Sequence, residues 1–437
     1  MKTTRKTNVV LALGTALTAL AGSALAHDHA ASRGRLVFAD HEKAKVSVLD
    51  LDSGEVTHTF EVPRANPVLA TTEDGRYAVI KTGDDAGTVR FLDTGLTYES
   101  HGDHIDIEKG EVRLLDFALT GDKPAHVVSD NGWVAVFFDG HRPWERTSEP
   151  RVVFIKLDTL GKAEPATRTW KSPAPQHGIA FALGKDEWLV STHNEAYAKG
   201  DQKASSRSNG FRIVEGEDWK TVASFDDLSD PQKSCKEFHG HAELGNIHVF
   251  GCAQGPDDNA KAGGVLVVGT ANGQWTARRV AYPDNRRSST IKAREGGQYL
   301  IGNYGNKGPY DALIRIDPKA AALKAADVFQ VPDGQAVCQF EVASNGKRVA
   351  NLTADGKLRI YDSAPEWKQI AQFDAVPAFD CAFGAKTPTS SLAIVGESAF
   401  VSDPVSRRIR EYSLGSLQQG LDLPVDGMPA NLASSGG

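Results

Sequence analysis

The 437-residue chain is short of methionine, with 2, and of cysteine, with 4. Four cysteines are too few for a disulfide-built scaffold, and no Cys-x-x-Cys spacing supports a thiolate zinc site. Positive charge is in deficit: 49 Lys and Arg stand against 56 Asp and Glu, for a net charge of −7 and no basic stripe. That balance argues against nucleic acid as a partner. Beyond residue 26 no stretch approaches the roughly 18 apolar residues of a membrane span. His-Glu-x-x-His, Gly-x-Ser-x-Gly, a Walker loop and Cys-x-x-Cys-His are all missing, which removes four common catalytic or cofactor readings. Asp50-Leu51-Asp52-Ser53-Gly54 begins like a calcium loop. It places Glu55 where such a loop needs glycine, so it reads as a plain hairpin.

The first 26 residues read as a signal peptide. Lys2, Arg5 and Lys6 form its charged start, residues 9–20 its apolar run, and Ala24-Leu25-Ala26 its cleavage site. The expected location is the periplasm, with no membrane insertion, and the mature chain begins His27-Asp28-His29. An oxidising compartment favours disulfides. Proximity in the chain pairs Cys235 with Cys252 and Cys338 with Cys381, one of the three connectivities that four cysteines allow.

What the chain has in abundance is glycine, 42 in all, and a repeat. A short strand ending in aspartate recurs at residues 46–50, 89–93, 153–158, 314–317 and 358–362, with weaker copies at 211–214, 265–268 and 409–413. Asp74-Gly75, Asn131-Gly132 and Asn345-Gly346 precede alternating apolar strands, as tight hairpin turns do. Short period-2 strands in units of about 50 residues predict an all-β chain folded as a single β-propeller of eight blades, with seven as the alternative. The tail at residues 427–433 resembles residues 64–70, which open the second unit. A C-terminal strand completing the N-terminal blade would close the ring and remove the open edge. The expected organisation is a mobile His-bearing tail at 27–34, a propeller at 35–433 and a frayed end at 434–437.

The functional signal lies in the 13 histidines. In a propeller the segments leading into the innermost strands gather at one mouth of the central channel. His126, His177 and the Phe238-His239-Gly240-His241 segment occupy such positions. Imidazoles arriving from separate blades can surround one ion, and neutral imidazole suits zinc better than magnesium or calcium. Period 2 on a strand puts His239 and His241 on a shared face. His101-Gly102-Asp103-His104-Ile105-Asp106, an insertion in the second unit, offers His104 and Asp106 to the same mouth or else forms an outer loop. His27 and His29 form an auxiliary capture site on the tail. His41, His58, His141 and His248 read as ordinary surface or strand residues.

The signal peptide, the His-x-His mature end, the two histidine segments and the repeat together resemble the AztD-type periplasmic zinc metallochaperones. The resemblance spans essentially the whole chain. It implies a non-enzymatic monomer that binds Zn²⁺ and delivers it, by direct ligand exchange, to the periplasmic zinc-binding protein of an ABC importer. The ligand set it implies is His104, Asp106, His126, His177, His239 and His241. The alternative is an exported metal-dependent propeller enzyme, of lactonase or quinoprotein-like type, with one metal position kept for substrate.

Overall fold

The computed structural model describes residues 32–435, apart from 84–86, 101–104, 231, 253–262 and 344–345. Four expectations fall outside the described residues: the signal peptide at 1–26, His27 and His29, His104, and residues 436–437. Eight four-stranded antiparallel sheets are arranged as the blades of a propeller. The innermost strands of blades 2 to 8 are, in order, Val68–Thr71, Pro124–Asp130, Ala180–Gly184, His241–Leu244, Ile291–Lys292, Val337–Val342 and Leu392–Val395. Blade 1 takes its innermost strand from the other end of the chain. Pro429–Ser435 pairs antiparallel with Arg35–Asp40, so the ring closes as the tail similarity implies.

The strand sequences follow from where each strand sits. Second strands are covered on both sides by neighbouring blades and read as apolar runs, as in Trp133–Phe138 (WVAVFF). Outermost strands cover one neighbour only and alternate, as in Thr167–Lys171 (TRTWK), half-buried at every second residue. Burial is divided among seams instead of pooled at a centre. Eight apolar clusters occupy the eight blade–blade junctions. In blade 1, Leu36, Phe38 and Leu49 pack toward blade 8, while Val37, Val46 and Val48 pack toward blade 2. Each such side chain contributes about 1.5–3 kcal/mol on burial, so a one-residue slip of a strand would empty two seams at once.

Both disulfides form as proximity in the chain suggested, with Cα–Cα distances of 5.1 Å for Cys235–Cys252 and 5.5 Å for Cys338–Cys381. The ends differ from expectation. Ser32 and Arg33 are held by Asp52, Arg33 donating its backbone N–H to Oδ1 at 2.8 Å. At the other end Ser434 and Ser435 pair with Leu36 and Arg35 instead of fraying. Ser435 is fully buried and shares a 2.8 Å hydrogen bond with Thr94, which makes it part of the ring.

The inner strands run in one direction around the channel. Their early residues, including Val68, Val337 and Asn431, with Thr290 just before the blade 6 strand, wall one cavity. Their later residues, including Thr71, Val342, Ile394 and Ser434, with Arg294 just beyond the blade 6 strand, wall another. The channel therefore has an entry end, where inner strands begin, and an exit end, where they finish.

Candidate metal centre

Three histidines meet at the entry end. His126 is the third residue of Pro124–Asp130; His177 and His239 lie in the segments just before the inner strands of blades 4 and 5. Their ring centroids are 4.5, 5.2 and 5.4 Å apart, and one nitrogen from each lies within 4.8 Å of the others. Every ring is anchored through Nδ1. His126 Nδ1–H donates to the Gly178 carbonyl at 2.7 Å, His177 Nδ1–H to Asp139 Oδ2 at 2.7 Å, and His239 Nδ1–H to the Ser289 carbonyl at 2.6 Å. With Nδ1 committed to an acceptor, the neutral ring carries its lone pair on Nε2, the tautomer a metal requires.

The nitrogens converge at a spacing that suits zinc. His177 Nε2 and His239 Nε2 are 3.2 Å apart. Tetrahedral zinc–nitrogen bonds of about 2.05 Å place two ligands about 3.3 Å apart. Two lone pairs facing each other at this distance repel unless a proton or a cation stands between them. Burial, with the neighbouring His177 and His239 rings, holds His126 well below the ordinary histidine range. Burial, with the Arg207 guanidinium beside it, takes His239 down to about 4. At neutral pH these two rings are neutral and have no proton to shed before binding a cation. Asp139 is pushed upward by its own burial and pulled back by the His177 hydrogen bond. Lys81 Nζ, which donates to the Ala125 carbonyl, is lowered by burial.

Local sequence explains the delivery of each ring. Gly178 leaves no room for a side chain: a Cβ there would lie 2.4 Å from the Phe137 ring and 2.5 Å from Ser191 Oγ. Its backbone therefore comes close enough to accept from His126. Gly240 adopts φ +83°, and a Cβ on it would sit 2.8 Å from the Ser289 carbonyl oxygen, the acceptor that anchors His239. This glycine also breaks the expected period-2 alternation. His239 turns to the trio, whereas His241 stacks on Phe181 at 4.2 Å and faces His248, with His241 Nε2 3.3 Å from His248 Nδ1. All four rings, His126, His177, His239 and His241, line one cavity of about 430 Å³ that also touches Val128, Ile179 and Phe238.

No family model matches the chain. A curated relative named Zinc chaperone AztD, from Citrobacter koseri, is 27% identical over 409 residues, spanning 92% of this chain and 86% of its own length. The crystal structure of Citrobacter koseri AztD matches with a TM-score of 0.75 at 26% identity, covering 92% of this chain and 98% of that one. The structure of apo AztD from the same organism matches at 0.72 over the same shares of the two chains. The chain is similar to AztD over nearly its whole length.

Not every expected residue joins the centre of this AztD-like propeller. Asp106 belongs to a hairpin, Leu96–Ser100 with Ile105–Lys109, inserted between the third and fourth strands of blade 2. Third strands run toward the exit end, so the hairpin leaves the blade there, opposite the three histidines. Tyr98 at its base donates to the Gly75 carbonyl at 3.4 Å, and Lys109 Nζ reaches Asp50 Oδ2 at 2.5 Å, both at that end. Of the two places the sequence left open for this insertion, the entry mouth or an outer loop, the described strands of the hairpin agree with the outer loop.

Two contributors were not singled out in the sequence. Asp139, which orients His177, directly follows the apolar strand Trp133–Phe138, and an acid closing such a strand is the one local signal it gives. His248, read as ordinary, belongs to a second group with Asp130 and Glu243, each offering one donor atom within 4.8 Å of the others. Its register was readable: the Gly245-Asn246 turn pairs Leu244 with Ile247 and hence Glu243 with His248.

Proposed function

We propose that the protein is a periplasmic zinc carrier that holds Zn²⁺ on His126, His177 and His239 and passes it to the zinc-binding protein of an ABC importer. One observation carries this reading: three imidazoles, each fixed through Nδ1, bring one nitrogen apiece within 4.8 Å of one another, with His177 Nε2 and His239 Nε2 facing at 3.2 Å. The likeness to Citrobacter koseri AztD, named a zinc chaperone, supports the choice of cargo. The two disulfides suit an exported protein. No helix among the described residues is long and apolar enough to cross a membrane.

Three nitrogen donors leave one tetrahedral position for a fourth ligand. In a carrier that position is where exchange begins. A partner's imidazole enters the zinc shell there before a carrier ligand leaves, so the ion never becomes free. His27 and His29 remain an auxiliary capture pair on the tail. His241, in the same cavity, is a further donor one residue beyond Gly240.

The test is transfer in the presence of a strong chelator. Zinc-loaded carrier mixed with the apo partner and excess chelator should still load the partner, whereas full interception by the chelator would exclude direct exchange. A three-histidine zinc with an exchangeable position is also the ligand set of a hydrolytic centre, so the enzyme reading has one observation behind it. Zinc-dependent turnover of simple esters or lactones, abolished by His177→Ala, would favour that reading over a carrier.

A further inference from the structure

At the exit end, Asp130 closes the inner strand of blade 3, and Glu243 and His248 are directly opposed on the first two strands of blade 5. These residues come from blades that are not neighbours, and they meet across the inner edge of blade 4. We infer that Asp130, Glu243 and His248 form a second divalent-cation site of mixed carboxylate and imidazole ligands, at the opposite end of the channel from the three histidines.

The donor atoms already stand as a ligand group does, all within 4.8 Å of one another. A buried carboxylate such as that of Asp130 needs a proton or a counter-charge, whereas Glu243 is more exposed. Asp130 is 9% exposed and His248 4% exposed. Among the described residues no Arg or Lys forms an ion pair with either carboxylate. The charges acting on Asp130 are further acids, Glu243 and Glu73, and Glu295 acts on Glu243. Asp130 Oδ1 has one neutral donor, Asn131 Nδ2, at 2.9 Å. His248 Nδ1 faces His241, and its Nε2 has no hydrogen-bond partner among the described residues. Asp130 and Glu243 share a proton through a side-chain hydrogen bond; a divalent cation can take that proton's place, with the buried His248 imidazole beside the pair as a third donor.

Oxygen donors and one nitrogen fit zinc or manganese and bind less tightly than three imidazoles. Asp130 lies four residues beyond His126 on one strand, which separates the two centres by about 13 Å. The His241–His248 pair lies on blade 5 between His239 and Glu243. The site rests on its own donors and stands whether or not the first centre is a carrier site.

The experiment counts metal equivalents by titrating the mature chain with Zn²⁺ alone against a chromophoric chelator. His27→Ala and His29→Ala are present in every protein, so that the tail imidazoles do not contribute. Asp130→Asn with Glu243→Gln should bind one equivalent fewer than the parent and keep the tight one unchanged. His126→Ala with His177→Ala should lose the tight equivalent and keep the weaker. Should the first pair fail to fold, as judged by circular dichroism, His248→Ala takes its place, with the weaker equivalent expected at least tenfold weaker still. An Asp130/Glu243 variant that binds as many equivalents as its parent overturns the inference. So does a His126/His177 variant that loses both equivalents together, since the two would then be one site. If His126→Ala with His177→Ala costs no equivalent while the Asp130/Glu243 pair does, the carrier reading fails and this site stands.

Discussion

Asp139 Oδ2 accepts a 2.7 Å hydrogen bond from His177 Nδ1, and this bond turns His177 Nε2 toward His239 Nε2. The carboxylate fixes the tautomer, sets the ring angle and makes the opposite nitrogen a stronger donor. Asp139→Asn keeps the shape and removes the charge. Zinc affinity should fall about 10- to 100-fold, measured by chelator competition, with the thermal midpoint of the metal-free protein little changed.

Acidification should act on the metal-free fold before it exposes the channel. His239 titrates at about 4 in the folded chain, against 6.5 for an ordinary histidine, and His126 and His241 are also depressed, chiefly by burial. Between those values the unfolded chain binds more protons than the folded one. Stability from these groups is therefore complete above about pH 6.5, declines as pH falls toward 4, and levels off below the folded values. Thermal melts from pH 7.5 to 4.5 should show the decline. His241→Phe, which stacks on Phe181 without a titrating group, should reduce its slope.

Gly240→Ala tests the backbone turn. A Cβ at φ +83°, 2.8 Å from the Ser289 carbonyl, must displace the anchor of His239 or shift the strand. The cost should be about 1–3 kcal/mol of stability, read from denaturant unfolding. Zinc binding should weaken at least tenfold.

The Cys235–Cys252 bridge closes 17 residues that include His239. Its loss should cost about 3 kcal/mol by loop closure. Cys235→Ser with Cys252→Ser should also weaken zinc binding. Cys338→Ser with Cys381→Ser, on blade 7 and the segment after it, should lower stability without that loss. Parallel melts and zinc titrations separate the two effects.

The ring itself was legible because a repeat needs only local signals: an alternating strand, an Asn/Asp-Gly turn and an aspartate close. Even the closure was readable, since residues 427–433 resemble residues 64–70. His126, His177 and His239 were legible for the same reason, as each falls at or just before the start of an inner strand. Three things resisted. The side of the ring on which Asp106 emerges depends on counting strands within its blade, which the repeat length alone does not give. The separate roles of His239 and His241 depend on one positive φ at Gly240, where period 2 predicted a shared face. His248 and Glu243 were overlooked because their partner Asp130 comes from a blade about 115 residues earlier, and nothing local marks a contact that only ring geometry makes.

The most direct test of the central claim is zinc K-edge X-ray absorption on the mature protein loaded with one equivalent of zinc. The account requires three imidazole nitrogens at about 2.0 Å, with one of them lost in His177→Ala. A first shell dominated by oxygen, or one unchanged in that variant, would contradict it.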